Sequence, residues 1–375
     1  MYYILIFLLI LYQLLISLLG TWNDFKKYKI STYNYFQRFG FNNNYSKVDY
    51  LIHAVSCGEA MSCQPLIDII EKSNKKYLLT VHTPTGFNLI RKKVKYSILK
   101  PFDLIPTMFY LLLKTQPKIL FIAESDSWPF MILFAKLFGT KIYYINYTLK
   151  GYLRNFYHYV LADRIFLKIN VKNKKKKYHF LGNLKWLSTN KIIDTKFKKT
   201  SLIISSAGKD EIDIHLKLIK SFPNINFIYV PRHLNWENQL KDKLQDFKYL
   251  WLTHENQISE IENNHLVIIW SFGLLNKLYA KTHMCLMGDT FNLVGGHNLV
   301  EPAIHENTII LGPNYHTCRD LAAELNIIYV KKIEELMFKL KDYNSFNQQG
   351  KENYQLVFNK QKNIQEKLIT ILDQN

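Results

Sequence analysis

Nine short apolar runs alternate with helical patterns along the chain, and this alternation narrows the fold more than any other feature. The runs are Tyr50–Val55, Tyr77–Val81, Ile119–Ala123, Ile142–Asn146, Ser201–Ser205, Asn226–Val230, Val267–Trp270, Met284–Met287 and Thr308–Leu311. They are rich in β-branched or aromatic residues and most end at turn formers, as strands do. Strands that alternate with helices imply parallel sheets built from β-α-β units, an α/β chain. A length of 375 residues allows two domains, each with its own core.

The polar, Lys-rich stretch 189–200 reads as a linker. It divides an N-terminal α/β domain, 23–188, from a second one, 201–349, followed by an amphipathic C-terminal helix, 350–375. Residues 1–22 read as a membrane anchor. No charge occurs from Tyr2 to Leu19, and about 18–20 apolar residues suffice to span the hydrocarbon core. Lys26, Lys27, Lys29 and Arg38 follow, which puts the body on the cytoplasmic side by the positive-inside rule. A buried core helix is the plainer alternative. A cleaved signal peptide fits less well, because neither a basic start nor a small-residue cleavage site is present.

The net charge of +19 has two readings, an acidic partner such as a nucleotide or an anionic lipid surface, or a bias of composition. No nucleic-acid-binding motif accompanies it. Cys57, Cys63, Cys285 and Cys318 form neither a disulfide framework nor a zinc-ligand spacing. No metal or cofactor motif is read.

The unusual residues cluster at or just past the carboxyl ends of the expected strands: His53–Glu59, Thr83–Gly86, Glu124–Pro129, Pro231–His233, Gly288–Phe291 and Gly312–Asn314. In open α/β sheets that edge holds the ligand. Ser56-Cys57-Gly58-Glu59 is a capping-box spacing; the other reading is a carboxylate base on a rigid helix start. Glu124 and Asp126 can point the same way on an extended segment; a metal site is one reading, though no His or further acid lies nearby, and a solvated turn that caps the next helix is the other. Lys185, after Gly182-Asn183-Leu184, is either a surface lysine or a cation for a leaving phosphate. Arg232 offers the fork that matches phosphate, or is merely exposed. Gly295 and Gly296 permit close backbone approach and present amides at a helix start. Asn298 and Glu301 share a helix face there.

In order, the stretches HAVSCGE, TPTG, the acidic pair before Trp128-Pro129, GNLK, VPRH, SFG, GGHNLVEP and LGP resemble the 3-deoxy-D-manno-octulosonic acid (Kdo) transferases of lipopolysaccharide synthesis. The resemblance runs to about Leu325. It implies a GT-B glycosyltransferase, two Rossmann-like domains facing across a cleft behind one N-terminal transmembrane helix. It implies CMP-Kdo as donor, a lipid A precursor (lipid IVA) as acceptor, and the bacterial inner membrane as location. Glu59 is then the base, and Glu124 and Lys185 stabilise the transition state. Pro231, Arg232, Phe272, Gly273, Leu274, Asn298, Leu299, Val300 and Glu301 contact CMP.

The chain departs from the family pattern in places. Leu274 stands where the family usually has Glu. Tyr147-Thr148-Leu149 lacks the usual Arg-Leu-Ser. Such drift leaves room for another nucleotide-sugar transferase, or for a non-catalytic membrane scaffold.

Overall fold

The computed structural model describes residues 11–12, 15, 18–20, 22, 36–41, 45–149, 151–171 and 175–374. The chain forms two units, Met1–Ser188 with Asn363–Asn375, and Thr189–Lys362. The expected anchor over 1–22 lies for the most part outside the described residues. Among those described, no helix is long and apolar enough to cross a membrane.

Unit 1 holds β1 (Tyr50–Ala54), β2 (Tyr77–Val81), β3 (Ser97–Leu99), β4 (Ile119–Ala123), β5 (Lys141–Tyr147), β6 (Arg164–Leu167) and β7 (Tyr178–Phe180). They form one parallel sheet in the order β3-β2-β1-β4-β5-β6-β7. Unit 2 holds β8 (Ser201–Ala207), β9 (Asn226–Pro231), β10 (Leu250–Leu252), β11 (Leu266–Ile269), β12 (Met284–Met287), β13 (Thr308–Leu311) and β14 (Ile327–Tyr329). Its sheet is also parallel, in the order β10-β11-β9-β8-β12-β13-β14.

Every residue of β1, β2 and β4 is buried. Helices cover both faces of such sheets, so their strands read as unbroken apolar runs. Leu51, Leu120, Ile122 and Tyr144 centre one core of unit 1, and Leu202, Phe227, Ile268 and Leu286 one of unit 2.

Residues 189–200 form no helix or strand. The Lys196 ammonium donates to the carbonyls of Tyr279, Thr282 and His305, at the ends of helices Leu275–Lys281 and Val300–Ile304. A cation there satisfies carbonyls that a helix end leaves unpaired. The last helix, Asn347–Asp373, starts in unit 2 and ends in unit 1.

Candidate functional site

The strand order reverses beside β1 in unit 1 and beside β8 in unit 2. The carboxyl ends of strands at such a point open onto the ligand crevice of α/β folds. In unit 1 the two strands concerned, β1 and β4, lead into Glu59 and Glu124.

Glu59 is the third residue of the helix Cys57–Ser62, capped by Ser56. Its amide donates to Ser56 Oγ at 3.3 Å. Its carboxylate accepts from the Val55 amide at 2.8 Å and from the Ser56 hydroxyl at 3.2 Å. Cap and base are therefore compatible readings of one residue. Burial pushes the Glu59 carboxyl up; the Val55 amide pulls it down, and the nearby carboxylates of Asp126 and Glu124 push it up further, leaving it above the ordinary glutamate value. A carboxylate that holds its proton more tightly is a better proton acceptor once ionised.

Glu124 follows β4 with φ +60°, a conformation that costs a non-glycine residue about 1 kcal/mol or more. Its amide donates to the Ile145 carbonyl at 2.8 Å. The Asn146 side chain donates to Glu124 Oε1 at 3.4 Å and accepts from the Leu184 amide at 3.2 Å. Asn146 thus joins Glu124 to the 3-10 turn Leu184–Leu187 that carries Lys185. Asn183 accepts from the Lys185 amide at 3.0 Å, while the Lys185 side chain is exposed.

The loop after Glu124 is anchored from below. Tyr147 donates to Asn155 Oδ1 at 3.1 Å. The Tyr147 oxygen then accepts from His158 Nδ1 at 2.9 Å, so His158 Nε2 accepts from Ser127 at 2.7 Å. Burial pulls His158 down to about 3, which keeps the ring neutral and this chain of bonds intact.

In unit 2 the corresponding strands, β8 and β12, lead into Glu211 and Asp289, beside a cavity of about 810 Å³. Arg232 lines it and pairs with Asp289 at 2.9 Å. Asn292 and His297 also donate to Asp289, at 2.7 and 3.0 Å. Burial pushes the Asp289 carboxyl up, but the bonds from Asn292, Arg232 and His297 prevail and leave it below its ordinary value. Glu211, fully buried, accepts from the amides of Asp289, Phe291 and Asn292 at 2.6, 2.6 and 3.1 Å. A Cβ on Gly208 would stand 2.1 Å from Asp289 Oδ1, so any side chain there would have to displace the Asp289 carboxylate.

The other unit 2 candidates take different places. Gly295 and Gly296 adopt φ +102° and +82°, and their amides donate to the Asp289 carbonyl at 2.9 and 3.1 Å. They hold the loop rather than face a ligand, contrary to the expectation from the sequence. Asn298 donates to Glu301 at 3.1 Å and accepts from the Val300 amide. Burial raises the Glu301 carboxyl. Leu274, Leu299 and Val300 are buried, whereas Phe272 is 69% exposed. Arg232 lines the cavity; Pro231, Phe272–Leu274 and Asn298–Glu301 do not. Sequence reasoning missed Asn146, Glu211 and Asp289 as individuals. Asp289 lay within a flagged strand end, but Asn146 and Glu211 had no such marker.

The family model described as "3-Deoxy-D-manno-octulosonic-acid transferase (kdotransferase)" matches residues 33–186. A 3-deoxy-D-manno-octulosonic acid transferase of Aquifex aeolicus is 28% identical over 306 residues, covering 77% of this chain and 84% of that protein. One from Haemophilus influenzae is 26% identical over 318 residues, covering 74% of each. Among solved structures, UDP-GlcNAc 2-epimerase from Neisseria meningitidis matches with a TM-score of 0.59 at 14% identity, covering 87% of this chain and all of that one. At that identity the likeness concerns the fold alone, which is GT-B-like. The motifs and these relatives agree over about three quarters of the chain, so it is similar to the 3-deoxy-D-manno-octulosonic acid transferases, a family of glycosyltransferases.

Proposed function

We propose that the chain transfers Kdo from CMP-Kdo to the lipid A precursor lipid IVA, on the cytoplasmic side of the bacterial inner membrane. Glu59 takes the proton of the acceptor hydroxyl. The acceptor oxygen bonds to the anomeric carbon, and that carbon's bond to the phosphate oxygen breaks, its electron pair leaving on CMP. Glu124 and Lys185 stabilise the transition state, and Arg232 binds the donor's phosphate.

The observation that carries this reading is Glu59. It is a raised carboxyl on a rigid helix start, at the topological switch point of a sheet whose family transfers Kdo. An apolar face of unit 1 supports the membrane part. Phe109, Tyr110 and Leu113 on the helix Ile105–Thr115, and Leu133, Leu137 and Phe138 on or just after the helix Pro129–Leu137, are all exposed. Such a patch suits a lipid surface.

Mass spectrometry of lipid IVA incubated with CMP-Kdo and the protein tests donor, acceptor and number of additions together. A gain of one or more Kdo units is expected. Consumption of a UDP or GDP sugar in place of CMP-Kdo would move the chain to another nucleotide-sugar transferase. Folded protein that turns over no donor would make it a non-catalytic relative.

A further inference from the structure

We propose that Asp289 is a specificity-determining residue of the unit 2 cavity, selecting a sugar donor linked through one phosphate over a donor linked through two. The inference rests on the nucleotide-sugar reading above.

The chain as a whole is strongly basic, but this cavity is not. Lys209 and Arg232 line it against Asp210, Glu237 and Asp289. Its histidine, His233, is exposed. Asp210 is exposed, and Glu237 pairs with Lys241 at 2.6 Å. Both can turn away or be screened by salt. Asp289 can do neither. Its side chain is 4% exposed and clasped by Arg232, Asn292 and His297. Its backbone is fixed by Glu211, and Gly208 closes over it.

The best phosphate ligand in the cavity therefore carries a fixed negative charge at hydrogen-bonding distance. One bridging phosphate brings a single charge, which Arg232 can share with Asp289. A diphosphate brings a second charge into the same field, where burial weakens screening and strengthens repulsion. Selection by an element that repels the wrong ligand is a general route to specificity. Burial holds the His297 imidazole below its ordinary value, so it does not supply a dependable compensating charge.

The test is calorimetric titration of wild type and Asp289→Asn with CMP and CDP. Asparagine keeps the shape and one acceptor for Arg232 while removing the charge. Wild type should prefer CMP, and the preference should shrink about ten-fold in Asp289→Asn, the size expected for one partly buried charge. A ratio unchanged within about two-fold, or a wild type that prefers CDP, overturns the inference. Should circular dichroism reveal Asp289→Asn to be unfolded, the wild-type CMP-to-CDP ratio at about 0.05 M and about 0.5 M salt is the substitute. A preference for CMP that persists at the higher salt is expected of a buried charge, and one that vanishes there belongs to the exposed rim and overturns the inference. If wild type favours another nucleoside, the mono- and diphosphates of that nucleoside replace CMP and CDP. A response there upholds charge selection while the CMP reading fails. Folded protein that binds no nucleotide overturns both.

Discussion

The two units place a pair of carboxylates at the same point of their sheets and use them differently. After the first strand of each sheet comes a glutamate near a helix start, Glu59 or Glu211; across the switch point comes an acid with a left-handed backbone, Glu124 at φ +60° or Asp289 at φ +59°. Glu59 bonds only within its own turn, to Val55 and Ser56. Glu211 is saturated by three amides of the β12 loop. Burial raises both carboxyls above the ordinary value. What separates them is the partner set. One of the Glu59 partners is a hydroxyl, which can reverse and accept. All of the Glu211 hydrogen-bond partners are amides, which can only donate. The first arrangement leaves a carboxylate available for proton transfer; the second builds a loop.

The largest effect expected is on rate. Glu59→Gln should lower turnover about 10³-fold, the scale of a lost general base, measured as CMP release. The next is on stability. Glu211→Gln turns an NH₂ group against an amide donor, and should cost about 3 kcal/mol in urea denaturation, with faster hydrogen exchange at 289–292. Lys196→Met should cost about 2 kcal/mol, since three carbonyls lose a charged donor. Asn146→Ala should slow turnover about ten-fold with little change in donor affinity, because it frees Glu124 from the Lys185 turn.

The smallest effect is a displaced titration. If Glu59 is the base, the acid limb of kcat/KM should fall above the ordinary glutamate value, because a base must be ionised to act and this carboxyl is raised. The same shift gives the sign for stability. A folded pKa above the unfolded one favours folding at low pH, and that contribution is lost as pH rises through the folded value. At neutral pH the ionised Glu59 therefore opposes folding, which Glu59→Gln relieves.

The central strands were legible and the edges were not. Each of the nine apolar runs overlaps a strand, and Tyr77–Val81, Ile119–Ala123, Met284–Met287 and Thr308–Leu311 match β2, β4, β12 and β13 end to end. Four of the five strands missed, β3, β7, β10 and β14, are the sheet edges. They span three residues each, and an edge strand has no second neighbour to demand an apolar run. β6, the fifth, lies next to the edge. The site divides similarly. Ser56 and Glu59 signal each other across three positions. Glu211 and Asp289 are 78 residues apart, and a carboxylate that accepts backbone amides leaves no motif. The roles of Gly295 and Gly296 were misread for the same reason, since their partner is a backbone carbonyl.

Urea denaturation of Glu59→Gln beside wild type at neutral pH, with turnover measured on the same samples, tests the division of labour between the two glutamates most directly. The variant should be inactive yet at least as stable as wild type, since glutamine can accept from Val55 and donate to Ser56. A variant whose loss of activity follows a loss of stability would make Glu59 a cap and no more, and would contradict it.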